Sequence, residues 1–231
     1  MPISIRSLLQ GMHRQACLLC LQDSHTLLCQ HCQADLPILN LAQYQHNLLN
    51  RPDIAQGLEN INYQRLVACA PYQWPWDRLI TSLKFSQRLL CAKALAEQFY
   101  RLTLFARQDL PEAILPMPLH ASRYMRRRYN QAGEIAGQLS RLSHIPVDHH
   151  LCRRSKATLP QTELTGAQRR HNLRDAFCLN GPLPYRHIAV LDDVITTGTT
   201  ISSLCHTLRC ARVDLHIEVW CIAISLKSPL E

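Results

Sequence analysis

The stretch HIAVLDDVITTGTT, residues 187–200, decides how the rest of the chain is read. The apolar run from Ile188 to Leu191 meets two adjacent aspartates, Asp192 and Asp193. After Val194 and Ile195 come only small residues: Thr196, Thr197, Gly198, Thr199 and Thr200. RHIAVLDDV (186–194) reads as a strand whose apolar part, 187–191, delivers the two aspartates to the sheet edge, and the small residues after it as a turn into a helix. Glycine lets the backbone come close to a ligand. The first N–H groups of a helix have no internal partner and suit an anion such as phosphate. Two carboxylates beside such a cradle would repel a phosphate unless something lay between them. A ribose is such a spacer, with its 2- and 3-hydroxyls toward the carboxylates and its 5-phosphate in the turn. Magnesium would reduce the remaining repulsion. A plain helix cap would need only one aspartate. Neither a GxxxxGK[ST] loop nor a GxGxxG turn is present.

Outward from that strand the chain alternates in type. RLVACAPY (65–72) reads as an edge strand or hairpin arm, PWDRLITSLKF as a helix, and CAKALAEQFYRLTLFARQ (91–108) as an amphipathic helix. EAILPMPL (112–119) is a short buried strand broken by Pro116 and Pro118. NQAGEIAGQLSRL is a helix, PVDHHLCR (146–153) a strand, TTISSLCHTLRCA a helix and HIEVWCIAIS a last strand. Mostly apolar strands alternating with helices predict an α/β fold, a mostly parallel sheet flanked by helices. Ligands of such sheets sit at the carboxyl ends of the strands. The Asp-Asp turn, the proline turn at 116–118 and the basic segment 154–174 all fall there.

The N-terminal part follows another logic. Cys17 and Cys20 form one CxxC pair and Cys29 and Cys32 a second, eight residues on. Two such pairs bring four thiolates to the corners of a tetrahedron, which suits zinc; iron fits the same ligands. Four thiolates leave no open position, so the expected role is structural. About 30 residues bury too little apolar surface to fold unaided, and the metal would supply much of the stability. His25 and His31 are read as surface residues. Residues 33–62 read as a polar linker, which divides the chain into a metal-binding module with linker (1–62) and a main domain (63–231).

Composition narrows the function. The formal net charge is +8. Between Arg123 and Arg174, eleven Lys or Arg face three acidic residues, which points to phosphate-bearing partners. No apolar run is long enough to span a membrane, and MPISIRSLLQGMHRQ lacks the apolar stretch and cleavage site of a signal peptide. It reads as a short amphipathic helix. Eleven cysteines without an export signal fit a reducing cytoplasm better than a disulfide framework.

IAVLDDVITTGTT resembles the phosphoribosyl pyrophosphate (PRPP) signature of type I phosphoribosyltransferases. With the four-cysteine module, SLKF (82–85), PMPLHASRYMRRRYNQA (116–132) and QTELTGAQRRHNLRDAF (161–177), nearly the whole chain resembles the ComF family, including its GntX-like members. The resemblance implies that Asp192 and Asp193, as catalytic carboxylates, hold the ribose hydroxyls and that Thr196–Thr200 wrap the 5-phosphate. It makes the segment after Pro116 a pyrophosphate turn, with Arg123 and Arg127 as anion contacts. It also makes residues 154–172 a closing hood carrying Gln161, Arg169, Arg170 and Asn172. Lys84 matches a family position without an assigned role. Arg128 stands where the family has glycine, so a positive φ there would strain the turn.

Two classes of function follow from the resemblance. One is an enzyme transferring the phosphoribosyl group of PRPP, with magnesium, to an unidentified base or amine. The other is a non-catalytic competence factor binding nucleotides or single-stranded DNA, linked to the use of taken-up DNA and to other competence proteins. Aromatic residues are only 6% of the chain, so no extended base-stacking platform is evident. A third reading makes the zinc module a docking element for a partner.

Overall fold

The computed structural model describes residues 14–119, 128–155 and 176–225. The expected N-terminal helix, Arg123, Arg127, Gln161, Arg169, Arg170 and Asn172 lie outside them.

Four parallel strands form the central sheet in the order β3-β8-β7-β4: β3 Arg65–Pro71, β4 Ala113–Pro116, β7 His187–Ile195 and β8 His216–Ile224. β3 is an edge strand, as its sequence suggested. The two inner strands are almost wholly buried, as a sheet covered on both faces requires. Helices α3 (Trp76–Ser86), α4 (Leu89–Phe99) and α5 (Gln131–Ser143) pack on one another, and α5 lies on β4 and β7. Helix α6 (Thr199–Ala211) joins β7 to β8 and packs on residues Phe177–Leu179. The helix expected over 91–108 begins two residues earlier and passes into a π-helical turn at Tyr100–Leu104.

Residues 146–153 do not form the expected strand. Val147 makes a single bridge to Ile114. Asp148 Oδ1 accepts from the N–H groups of His150 (2.9 Å) and Leu151 (2.8 Å), which bends the chain. Only β5, Cys152–Arg154, is extended, and it pairs antiparallel with β6, Phe177–Leu179.

In the N-terminal part, β1 (Gln15–Ala16) and β2 (Asp23–Ser24) make a small antiparallel ribbon ahead of α1 (Gln30–Ala34). The segment read as a polar linker carries two 3-10 turns and α2 (Pro52–Gly57). It buries Leu36, Leu41, Leu48, Ile54 and Leu58 in the same apolar cluster as the sheet. Its backbone is tied there too. Leu39 N–H donates to the Cys69 carbonyl at 2.8 Å, and Trp76 Nε1 donates to the Pro37 carbonyl at 2.8 Å. Among the described residues no helix is long and apolar enough to cross a membrane.

The amino end of the sheet closes over one buried acid. Glu218 on β8 is fully buried, and its two oxygens take Arg107 through paired contacts at 2.8 Å. Arg65 (3.2 Å), His187 (3.1 Å) and Trp220 Nε1 (2.8 Å) complete the shell. His187, His216 and Glu218 lie close enough to share a metal ion, but the guanidinium groups already saturate the carboxylate. Burial alone would raise the Glu218 carboxyl; the hydrogen bonds from Arg107 and His187 outweigh it and hold the group well below its ordinary range. A carboxyl depressed in the folded state stabilises the fold above its unfolded pKa and loses that contribution as pH falls. Stability is therefore expected to decline progressively below about pH 4.5. Glu218→Ala, which leaves Arg107 buried and unpaired, is expected to cost about 3–5 kcal/mol in urea unfolding; a loss under about 1 kcal/mol would contradict the network's role.

Candidate functional site at the carboxyl end of the sheet

β7, His187–Ile195, contains Asp192 and Asp193, as the strand reading of RHIAVLDDV placed them, and extends one residue beyond it. β4 stops pairing at Pro116↔Leu191, while β8 stays paired to Ile195. From Asp192 onward, among the described residues, no strand pairs with β7 on its β4 side. β4 ends at Pro116, and Pro118, which has no N–H, cannot extend its pairing.

Strand alternation sends adjacent side chains to opposite faces, and the two aspartates have different surroundings. Asp193 is buried, 6% exposed, and its Oδ2 lies 2.9 Å from Lys84 Nζ in the last turn of α3. That gives Lys84 a partner at the site. Asp192 is half-buried, and its Oδ1 accepts from the Asp193 N–H at 2.9 Å. Burial and then the charge of Asp193 push the Asp192 carboxyl from 3.8 up to about 7, against weaker opposing pulls from Lys84 and Arg154.

The turn beyond the strand has the features an anion cradle needs. Gly198 is the residue before α6 and sits at φ +73°, a left-handed conformation that glycine adopts without strain. A Cβ there would also come within 3.0 Å of Leu58 Cδ2. Thr196 is exposed, and the hydroxyls of Thr197 and Thr199 lie 2.6 Å apart. Thr200, with Thr199, opens the first turn of α6. Sequence reading missed the wall beside this turn. The Glu59 N–H donates to the Thr197 carbonyl (2.9 Å), and Thr199 Oγ1 donates to Glu59 Oε2 (3.1 Å). No local signal in GLEN marked Glu59, because the contact spans 140 residues.

The Tyr129-Asn130-Gln131 motif braces the site from the other side. The Tyr129 hydroxyl donates to the Leu83 carbonyl, next to Lys84. Asn130 caps α5 by accepting from the Ala132 N–H at 3.1 Å and donates to the Met117 carbonyl at 3.0 Å. Arg128 has φ +66°, so arginine adopts the left-handed conformation that the family glycine would take freely. That costs about 1 kcal/mol or more.

The four N-terminal cysteines converge. Their sulfurs all lie within 4.8 Å of one another, close enough to hold a metal ion. The 3.6 Å between Cys20 and Cys29 Sγ is near the edge of a tetrahedron with metal–sulfur bonds of about 2.3 Å. The Cys29 N–H points to Cys17 Sγ at 3.3 Å and the Cys32 N–H to Cys29 Sγ at 3.5 Å. Burial would raise the Cys17 thiol, but backbone N–H donors from Cys20 and Cys29 bring it down to about 6, toward the thiolate a metal requires. His25 and His31 are exposed, as expected.

No family model matches the chain. It is 35% identical over 202 residues to competence protein F of Haemophilus influenzae, covering 84% of this chain and 83% of that one. It is 36% identical over 168 residues to the DNA utilization protein YhgH of Escherichia coli, covering 71% and 74% of the two chains. The counterpart from Salmonella typhi is 33% identical over the same length.

The Asp192 environment has a measurable consequence. An acid whose pKa is higher folded than unfolded supports the fold while protonated, and that support is lost as pH rises through the folded value. Asp192→Asn is expected to exceed the wild type in stability by about 1–2 kcal/mol at about pH 8 and to match it near about pH 4. Urea unfolding at the two pH values checks this, and a variant less stable at the higher pH contradicts it.

Proposed function

The chain belongs to the ComF family, and we propose that it binds PRPP at the carboxyl end of its parallel sheet and serves the use of taken-up DNA. The observation that carries the reading is the end of β7 beyond its pairing with β4, where a half-buried acid stands directly before a bare turn and a helix start. In this reading Asp192 and Asp193 receive the ribose hydroxyls unequally. Asp192 is the open acceptor. Asp193, neutralised by Lys84, fixes the strand end and lends a hydroxyl acceptor at its rim. The N–H groups and hydroxyls from Thr196 to Thr200 take the 5-phosphate. Arg123 and Arg127 take the pyrophosphate, and Gln161 and Arg169 belong to the closing segment.

The chemistry that fits is phosphoribosyl transfer. A nitrogen of the acceptor bonds to C1 of the ribose, the C1–oxygen bond to pyrophosphate breaks, and pyrophosphate carries away the electron pair. Charge stabilisation of the leaving group and exclusion of water are the protein's tasks. Asp193 is already paired with Lys84, which leaves Asp192 as the carboxylate of the pair able to face a magnesium ion arriving with the pyrophosphate. Such an ion would offset charge on the leaving group. The four-cysteine site would hold zinc in a structural role, since four thiolates leave no position open for substrate.

The relatives are named for competence and DNA utilization, which also suits a second reading, a competence factor that binds single-stranded DNA or nucleotides without turnover. The basic residues between Arg123 and Arg174 support it electrostatically. Pyrophosphate release from PRPP across a panel of bases and single strands separates the two. Release with one particular acceptor supports transfer, and salt-sensitive DNA binding without release supports the second reading.

Calorimetric titration with PRPP and magnesium is expected to saturate in the wild type and to fail in Asp192→Asn/Asp193→Asn with the fold intact by circular dichroism. Saturable uptake by the double variant would refute the site. Elemental analysis is expected to find one zinc per chain, with Cys29→Ser losing both the metal and thermal stability.

A further inference from the structure

The segment after α2 lies across the proposed phosphate turn. The Glu59 N–H donates to the Thr197 carbonyl at 2.9 Å, and Ser202 Oγ donates to the Glu59 carbonyl at 2.9 Å. Asn62 Nδ2 donates to the Ser202 carbonyl (2.9 Å), and Arg209 Nε donates to the Asn62 carbonyl (2.6 Å). Leu58 lies directly beneath Gly198. The backbone at residue 59 is therefore fastened to the first turn of α6 from both directions. Its side chain reaches the cradle, where Thr199 Oγ1 donates to Glu59 Oε2 at 3.1 Å.

This placement is chemically specific. Glu59 is exposed, and among the described residues no Lys, Arg or His forms an ion pair with it. Its carboxylate instead sits at the positive end of a 13-residue helix, on a hydroxyl that the phosphoribosyl reading assigns to the ligand. A carboxylate and a phosphate oxygen compete for the same donor, and their charges repel.

We propose that Glu59 is an internal competitor for the phosphate cradle, holding the Thr199 hydroxyl until a phosphoryl group displaces it. The proposal rests on the phosphoribosyl reading of this turn and adds its regulation. Every phosphoryl ligand meets the same opposing charge. A ligand held by the turn alone is therefore kept out at low concentration, while one that also gains contacts at Asp192 overcomes the penalty. Because Glu59 follows the N-terminal module, the cradle's affinity also depends on how residues 57–62 are seated.

Glu59→Gln tests this, since it removes the charge and keeps an oxygen acceptor for Thr199. Ribose 5-phosphate is titrated calorimetrically into the full chain at low salt. The variant is expected to bind about fivefold more tightly than the wild type, the size expected of a like-charge contact near the surface. The gain should shrink as ionic strength rises. Equal or weaker binding by Glu59→Gln overturns the competitor role. Asp192→Asn, titrated in parallel, separates the two claims. Binding that depends on Asp192 but ignores Glu59→Gln removes only the competitor. Binding indifferent to Asp192, or no binding by either protein, removes the site reading and the competitor with it.

Discussion

The ion pair between Lys84 and Asp193 sets the geometry of the carboxyl end of the sheet. A carboxylate buried that deeply costs several kcal/mol unless a charge meets it, and Lys84 meets it at 2.9 Å. The pair joins the last turn of α3 to β7. One residue away, the Leu83 carbonyl receives the Tyr129 hydroxyl, and Asn130 both caps α5 and holds Met117. Two helices and the turn after β4 are thus referenced to one buried charge. The position of Asp192, the neighbouring residue of β7, follows from that reference.

The two ends of the sheet treat charge in opposite ways. At the amino end, Glu218 is enclosed by Arg107, Arg65, His187 and Trp220, and both of its oxygens are engaged. At the carboxyl end, Asp192 is half-buried beside a second acid with one lysine between two carboxylates, and its carboxyl is raised to about 7. A fully compensated buried acid is architecture. An under-compensated acid at the carboxyl end of a parallel sheet is where the proposed ligand would complete the electrostatics.

The N-terminal part is joined to this frame by more than covalent continuity. Its leucines enter the sheet's own apolar cluster, and residues 57–62 form one wall of the turn before α6. The module's four sulfurs shape a local fold too small to stand on apolar burial alone. The N-terminal part thus connects the four-cysteine cluster to the turn before α6.

Much of this was legible in the residues because its causes are local. Apolar runs of strand length, helical spacing, two CxxC pairs and a glycine before a helix are each set by neighbours in sequence, and all appear in the fold. At Arg128 the family resemblance posed a positive φ only as a condition, and the fold supplies it at +66°. What tertiary structure alone decided involves partners far apart in the chain. Which neighbour β7 loses at the acids depends on β4, whose pairing stops at Leu191 while β8 stays paired to Ile195. The inequality of Asp192 and Asp193 depends on Lys84, and the wall beside the turn before α6 on Glu59, 140 residues from Thr199. Residues 146–153 looked like a strand by composition, yet Asp148 folded its backbone back on itself. Sequence alone determines what each segment can become, because propensity and periodicity act over a few residues. Burial, pairing and charge compensation are decided only when distant segments meet, since their energies depend on what stands opposite.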